Sequence, residues 1–360
     1  MENMKSILKK IIPSSLRTVL RGMQDSIDRS LLWSCSRSRL TSSIYYMLFN
    51  RSFGREHQSV LQGRIQYRAS LENIENSCVL LRRNIHRLEK GLIMRPRRPV
   101  FGKAFVGETV HTYALAMQQQ ALSSDEQQWC THVLQQYFDV VSEDAVVAQA
   151  KAKFNDIAIP QCTQAESIKK VPYLRKDLTT SDIDFEQLSI LFNQRRSVRW
   201  YEDKEIDLSA VEKAINIATQ APSACNRQPF KLHVVTNKEK VLKVAECAMG
   251  TAGFAHNLPA IIAVVGDLAA YPFERDRHVI YIDGSLFTMQ FMLALETLGL
   301  STCPINWPDI EAREKMLDEE LGLNKHERTI MLLSVGYADP EGGIPYSQKK
   351  DSSILMKVVD

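Results

Sequence analysis

The segment APSACNRQPF, residues 221–230, decides how the second half of this chain folds. A helical pattern that opens near residue 207 runs into it, and Pro229 prevents the helix from continuing. Residues 230–235 then alternate apolar and polar side chains, which predicts a half-buried strand. Within the turn, Asn226 and Gln228 offer amide donors and acceptors together, and such groups can bind the edge of a heteroaromatic ring.

A second polar cluster, RRSVR at residues 195–199, lies about two dozen residues earlier and also follows a predicted helix, residues 184–194. Three guanidinium groups and a hydroxyl within five residues suit a phosphate or the anionic edge of a reduced ring. The residues alone leave a solvated basic turn as an alternative. Both clusters are held by helices and are therefore expected to form a ligand site.

The order of these two motifs resembles the nitroreductase family of FMN-dependent oxidoreductases. The likeness runs from roughly residue 185 to residue 352, a little under half of the chain. It implies an α+β fold, with a nitroreductase-like mixed sheet flanked by helices in the C-terminal half. An all-helical N-terminal region precedes it. The resemblance also implies a homodimer that shares FMN between subunits, with the long apolar helix at residues 282–298 in the interface.

The same resemblance implies that NAD(P)H reduces FMN transiently and that a small-molecule acceptor then takes the electrons. Arg196 and Arg199 would stabilise the reduced ring, Asn226 and Gln228 would hold the ring edge or the ribityl hydroxyls, and a loop at residues 304–306 would lie near N5. No side chain is expected to act as a nucleophile, and no metal is expected. The implied FMN-binding residues are Arg195, Arg196, Ser197, Arg199, Pro222, Ser223, Asn226, Gln228, Pro304, Ile305, Asn306, Lys349 and Lys350.

Two positions depart from the family pattern. Trp307 stands where a small residue is expected, so its indole could narrow or stack on the substrate face. Asp351 replaces the arginine that often follows the pair Lys349 and Lys350, so phosphate binding is expected to depend more on the arginines of residues 195–199.

The 360 residues are enough for two or three domains, and 44% hydrophobic residues are enough for ordinary cores. Periodicity is lost between residues 157 and 172, so a linker is predicted there. It separates a basic helical extension, residues 1–160, from the nitroreductase-like domain, residues 180–360. Seven cysteines without CxxC spacing argue for a reducing compartment and against a zinc site or a disulfide framework.

Charge is unevenly distributed along the chain. The net charge is +3, but residues 1–100 contain 19 Lys and Arg against 7 Asp and Glu. Contact of this region with an anionic membrane, a polyanion or an acidic partner is one expectation. A basic helical surface without a ligand is the other. The segment Met4–Ile12 has the pattern of an amphipathic helix that could lie on anionic lipid, although a disordered or partner-docking tail fits equally well. No specific nucleic-acid binding is expected.

Residues 71–90 carry one apolar stripe at spacings of three and four, which predicts a helix, and Gly91 is expected to be its C-cap. Its other faces carry Arg82, Arg83, His86 and Arg87. These side chains either reach an anionic ligand or form a solvated surface, and the sequence does not decide between the two.

Other enzyme classes lack their motifs here. The sequence has no GxGxxG, no GxxxxGK[ST], no HExxH and no GxSxG. The longest clean apolar run, residues 258–265, is too short to cross a bilayer, and the N-terminus does not resemble a signal peptide. A cytoplasmic protein is therefore expected, with a peripheral membrane contact as an addition.

Three functions fit these observations. The first is an FMN-dependent NAD(P)H oxidoreductase with an unidentified acceptor. The second is a non-redox scaffold of the same fold that docks on a membrane or biosynthetic complex through its basic extension. The third is a specialised flavin enzyme acting on a peptide or sugar-linked intermediate, with the extension recruiting the substrate.

Overall fold

The computed structural model describes residues 14–74, 78–158 and 169–359. The chain forms two compact units, Met1–His57 and Gln58–Asp360. These units differ from the two regions expected from the sequence, and that division stays a prediction. The amphipathic segment Met4–Ile12 and most of the expected linker lie outside the described residues.

The described part of the first unit, residues 14–57, contains two helices and the start of a third. Ser38 caps the second helix, because its side chain accepts a hydrogen bond from the Thr41 N–H. The helices are α1 (Ser14–Cys35), α2 (Arg39–Leu48) and α3 (Gly54–Ala69), the last of which continues into the second unit.

Four further helices form a separate hydrophobic core in the second unit. They are α4 (Val79–Leu92), α5 (Val106–Gln118), α6 (Ser124–Val140) and α7 (Ala145–Asn155). Helix α6 begins with a capping box, in which Ser123 and Glu126 bond reciprocally. The aromatic rings of Tyr113, Tyr137 and Phe138 are buried between these helices.

The start and end predicted for α4 were wrong. The helix begins after Cys78, whose sulfur accepts the Leu81 N–H, and it continues through Gly91 to Leu92. Gly91 lies inside the helix. A Cβ at that position would collide with the ring of Phe101, so the close packing requires glycine there. Its role is close packing rather than capping.

The sheet has the order β1-β2-β4-β3, and its strands pair antiparallel. The strands are β1 (Phe230–Val235), β2 (Ala260–Asp267), β3 (Ser301–Asn306) and β4 (Glu327–Gly336). A parallel bridge between Ser197 and Thr302 extends the β3 edge. The predicted α+β fold is therefore confirmed, with parallel pairing limited to that bridge among the described residues.

Helices cover both faces of the sheet, which explains why β2 is buried along nearly its whole length. Alternate β2 side chains point into two cores: Ile261 and Ala263 into one, Ala260 and Ile262 into the other. The surrounding helices are α8 (Phe185–Gln194), α9 (Leu208–Ala218), α10 (Lys238–Cys247), α11 (Val279–Thr297), α12 (Glu311–Leu321) and α13 (Ser352–Leu355).

Helix α11 is the central helix of this layer. By length and hydropathy, the segment Glu274–Thr297 is the one helix of the described ranges that could cross a bilayer. In the structure, Phe287, Phe291 and Leu295 pack against β2 and β4 in the protein core. Burial against the sheet thus accounts for one apolar face of this helix.

Candidate functional site

The arginine segment is fixed between α8 and the sheet. Helix α8 ends at Gln194, and the Val198 N–H donates to the Thr302 carbonyl oxygen at 3.1 Å. Val198 is buried, whereas Arg195, Arg196 and Arg199 are only half-buried. The backbone is therefore attached to β3 while the charged side chains stay accessible.

These arginines line a cavity of about 560 Å³. The cavity is lined by Phe192, Asn193, Arg195, Arg196, Ser197, Arg199, Met289, Pro345, Tyr346, Ser347, Gln348 and Lys349. Four of these residues are cationic and none is acidic. Within the described ranges, no ion pair neutralises Arg195, Arg196 or Arg199, so the cavity is an uncompensated positive site.

This donor set fits a flavin phosphate. Guanidinium groups bind phosphate oxygens through paired N–H donors, and Ser197 and Lys349 add a hydroxyl and an ammonium group. Within the described ranges, these three arginines have no ion-pair partner. Like charges held together without a counter-ion destabilise a fold. An anionic ligand would remove that repulsion.

The two lysines predicted to bind FMN differ in position. Lys349 lines the cavity, whereas Lys350 is exposed and does not line it. Asp351 caps α13, because its carboxylate accepts the Ser353 N–H at 2.8 Å. The Ser353 hydroxyl lowers the pKa of Asp351 most and the Ser353 N–H lowers it further, so the carboxylate stays charged as a helix cap.

Residues 304–306, expected to form a loop, belong to the edge strand β3. Strand alternation exposes Pro304 and Asn306 and buries Ile305 in a core, so only the first two side chains are free to contact a ligand. Burial raises the pKa of the neighbouring Cys303 thiol, in keeping with a packing role rather than a nucleophile.

Trp307 does not form part of the cavity wall. Its ring is buried beside Ile305 and Leu317, and its Nε1–H donates to the Glu314 carboxylate at 2.5 Å. The expectation that this indole narrows the substrate face was therefore wrong. The following residues leave the sheet towards α12, which carries Glu314, so the indole is buried under that helix.

The turn at residues 221–230 has an unusual backbone. Cys225, Asn226 and Gln228 all have φ between 51° and 54°, the left-handed region that non-glycine residues rarely adopt. Each such residue costs on the order of 1 kcal/mol, and such strain is concentrated at ligand sites. The Ser223 hydroxyl accepts the Gln228 N–H at 3.1 Å, which closes the turn.

Two residues hold this turn in place, and sequence analysis did not predict that role for either of them. Asp283 of α11 accepts the Ala224 N–H at 2.9 Å, and Arg82 of α4 donates its Nε–H to the Asn226 carbonyl oxygen at 2.9 Å. Burial raises the pKa of Asp283 above its usual range, opposed by the Ala224 and Tyr271 hydrogen bonds. Asp283 could have been noticed as an acidic residue near the start of a largely apolar helix.

A single chain does not bring the two motifs into one cavity. None of the predicted turn residues Pro222, Ser223, Asn226 or Gln228 lines the cavity that contains Arg195, Arg196, Ser197 and Arg199. The described residues contain no cluster of three or more His, Cys, Asp or Glu side chains that could hold a metal.

The nitroreductase family model matches residues 192–252 and 246–337, which include both motifs and all four strands. A protein of Archaeoglobus fulgidus named for NADH dehydrogenase and NAD(P)H nitroreductase activity is 33% identical over 41% of this chain and 83% of its own length. A Bacillus subtilis protein named for NAD(P)H nitroreductase activity is 30% identical over 42% of this chain and 88% of its own.

A more distant relative covers more of the chain. Human iodotyrosine deiodinase 1 is 24% identical over 54% of this chain and 76% of its own length. The family model spans the arginine segment, the turn and the sheet that joins them, and the names of the first two relatives describe redox enzymes. From these matches and from the site just described, the chain belongs to the nitroreductase family of oxidoreductases.

Proposed function

We propose that this chain is an FMN-dependent oxidoreductase that uses NAD(P)H and reduces a small-molecule acceptor. The observation that carries the proposal is the cavity at residues 195–199, in which four cations line the wall without a carboxylate. A phosphate-bearing cofactor is the ligand class that such a wall suits best. The NAD(P)H-dependent relatives support the same conclusion.

Arg195, Ser197 and Lys349 would hold the FMN phosphate, and Arg196 and Arg199 would offset negative charge on the reduced ring. When bound, FMN would supply the hydride chemistry that protein side chains cannot. The protein supplies orientation, positive charge and exclusion of water. No side chain needs to act as a nucleophile, in line with the raised pKa of Cys303.

We also propose that the site is completed by a second copy of the chain. Helix α11 exposes an apolar stripe at Ile282, Leu286 and Met289, and Met289 lines the arginine cavity as well. A stripe of this kind marks a protein contact. Because the turn residues do not line the cavity of their own chain, a partner's turn would supply the amide groups.

The function is tested by the visible spectrum of the purified full-length protein. We expect a yellow protein whose flavin absorption band bleaches under anaerobic titration with NADH or NADPH, and the titration also identifies the donor. Colourless protein that does not take up added FMN would contradict the proposal and favour the non-redox scaffold.

We also propose that the first unit contacts a lipid surface in the cytoplasm. Leu40, Ile44 and Leu48 lie exposed along one face of α2, and Trp33 of α1 is 65% exposed. Residues 14–57 contain 7 arginines against 3 Asp and Glu. Exposed apolar side chains on a basic helical pair are typical of a protein that contacts anionic lipid.

We expect the protein to sediment with phosphatidylglycerol vesicles and not with phosphatidylcholine vesicles. Changing Trp33 and Leu40 to serine should reduce that binding, because it removes apolar area that would enter the headgroup region. The control is Met249→Ser, which changes an exposed apolar residue of the second unit. Equal binding of both variants would contradict a lipid contact at α1 and α2.

A further inference from the structure

Helix α4 of the N-terminal helical region lies against the turn that the proposed function assigns to the flavin. Its Arg82 donates to the Asn226 carbonyl oxygen at 2.9 Å and pairs with Glu126 at 2.5 Å. Arg82 is thus satisfied on both sides and has a positioning role. The arginines that follow it on the helix are not accounted for in this way.

Arg83 and Arg87 are one helical turn apart and therefore share a face of α4. Arg87 stacks on the Phe105 ring, 3.6 Å from its centroid, and donates to Asn84 Oδ1 at 3.2 Å. Arg83 is half-buried, and within the described ranges it has neither an ion pair nor a hydrogen bond. The helix therefore presents one fixed guanidinium and one without a partner.

Arg83, Arg87 and the turn are near enough for their charges to interact, as the contact of the adjacent Arg82 with Asn226 requires. Burial lowers the pKa of Arg87, and the charge of Arg83 lowers it further, while Cys225 and Glu108 act in the opposite direction. Two guanidinium groups that repel each other beside a cofactor-binding turn reduce stability in the ligand-free protein. Such an arrangement is expected where a ligand supplies the missing negative charge.

A third guanidinium approaches from the turn itself. Arg227 is only 8% exposed, lies 4.9 Å from the centroid of the Tyr271 ring, and has a buried Nε–H without an acceptor. Arg83 and Arg227 both act on the Tyr67 hydroxyl: burial raises the pKa of Tyr67 and these two charges oppose the rise. Buried donors without acceptors are rare in folded proteins, so the Nε–H of Arg227 also points to a missing anion.

We propose that Arg83, Arg87 and Arg227 form the binding site for a carboxylate or phosphate group on the acceptor, beside the flavin-binding turn. The inference rests on the proposed function for its statement that the ligand is the acceptor. A purely structural role would require carboxylate or carbonyl partners for Arg83, and the described ranges provide none. The N-terminal helical region thereby becomes part of substrate recognition, and anionic compounds become the acceptor class.

The test uses full-length protein loaded with FMN and two probes of the same shape, benzoate and neutral benzamide, titrated by calorimetry. We expect benzoate to bind more tightly than benzamide, with a preference that weakens as salt is added. Arg83→Gln should reduce benzoate affinity by about 10- to 100-fold, the value of a hydrogen bond to a charged group. Benzamide affinity should not change.

Lys90→Gln is the matched control, because it removes one positive charge from an exposed position on the same helix. It should leave both titrations unchanged. The melting temperature of Arg83→Gln should equal or exceed that of the unmodified protein, since the substitution removes repulsion with Arg87. A lowered melting temperature, together with an equal loss of affinity for benzoate and benzamide, would show that Arg83 has a structural role. That result would overturn the proposal.

The remaining outcomes separate the two proposals. Protein that never binds FMN refutes the proposed function, whereas loaded protein without a preference for benzoate refutes the anion site alone. If Arg83→Gln weakens NADPH binding and leaves benzoate binding unchanged, the three arginines bind the electron donor. The assignment of this site to the acceptor is then wrong. Because calorimetry measures the heat of binding, the experiment does not require catalytic turnover of an unknown substrate.

Discussion

Replacing Arg195 and Lys349 together with glutamine is expected to raise the FMN dissociation constant by about 100- to 10,000-fold, the combined value of two charge-assisted hydrogen bonds. Both side chains line the cavity, and neither has an ion-pair partner in the described part of the chain. Their contribution to binding is therefore not offset by the loss of an internal salt bridge. Equilibrium dialysis of FMN, or quenching of its fluorescence, measures the change.

The double variant should fold normally, because removing two unpaired like charges relieves repulsion. Circular dichroism and the melting temperature of flavin-free protein check this. Arg175→Gln is the control, since Arg175 is an exposed arginine before α8 that does not line the cavity. Unchanged FMN affinity in the double variant would show that the phosphate is held elsewhere and would remove the main support for the proposed function.

The second large effect is expected at the exposed stripe of α11. Ile282→Glu together with Leu286→Glu should weaken self-association by about 30- to 1,000-fold, the range found for central interface residues. Ile282 is 57% exposed and Leu286 is 44% exposed in the single chain, so the substitutions do not disturb its core. In a dimer, each glutamate would become a buried charge without a partner.

Light scattering gives the mass of each variant, and the visible spectrum gives its flavin content. Both should fall together, because the turn of a second copy is expected to complete each site. Met316→Glu is the control: it changes an exposed apolar residue of α12, on the opposite face of the sheet. A monomeric variant that retains FMN with unchanged affinity would show that one chain forms the whole site.

Local sequence was sufficient wherever a residue interacts with near neighbours in the chain. The strand after Pro229 and the arginines after α8 follow from short patterns, and both were predicted. Family resemblance added the cofactor class. It also gave five residues that line the arginine cavity, Arg195, Arg196, Ser197, Arg199 and Lys349, whereas Lys350, the predicted turn residues and residues 304–306 do not line it.

Predictions failed where distant parts of the chain meet. Gly91 looked like a helix terminus, but Phe101 packs against it, and Trp307 looked like a wall of the site, but Glu314 binds its indole in a core. In both cases the partner belongs to another element. A pattern within one helix or loop contains no information about which element will pack on it.

The sequence by itself determined helix α8, strand β1, the accumulation of positive charge at residues 195–199 and the polar turn at residues 221–230, because these depend on neighbours within a few positions. Only the tertiary structure decided that Arg82 meets Asn226 across 144 positions of sequence, and that Arg83 and Arg87 therefore lie beside the turn. The same helical surface is either a solvated face or a ligand site, depending on what packs against it. The burial of those guanidinium groups is set by the packing of the whole second unit.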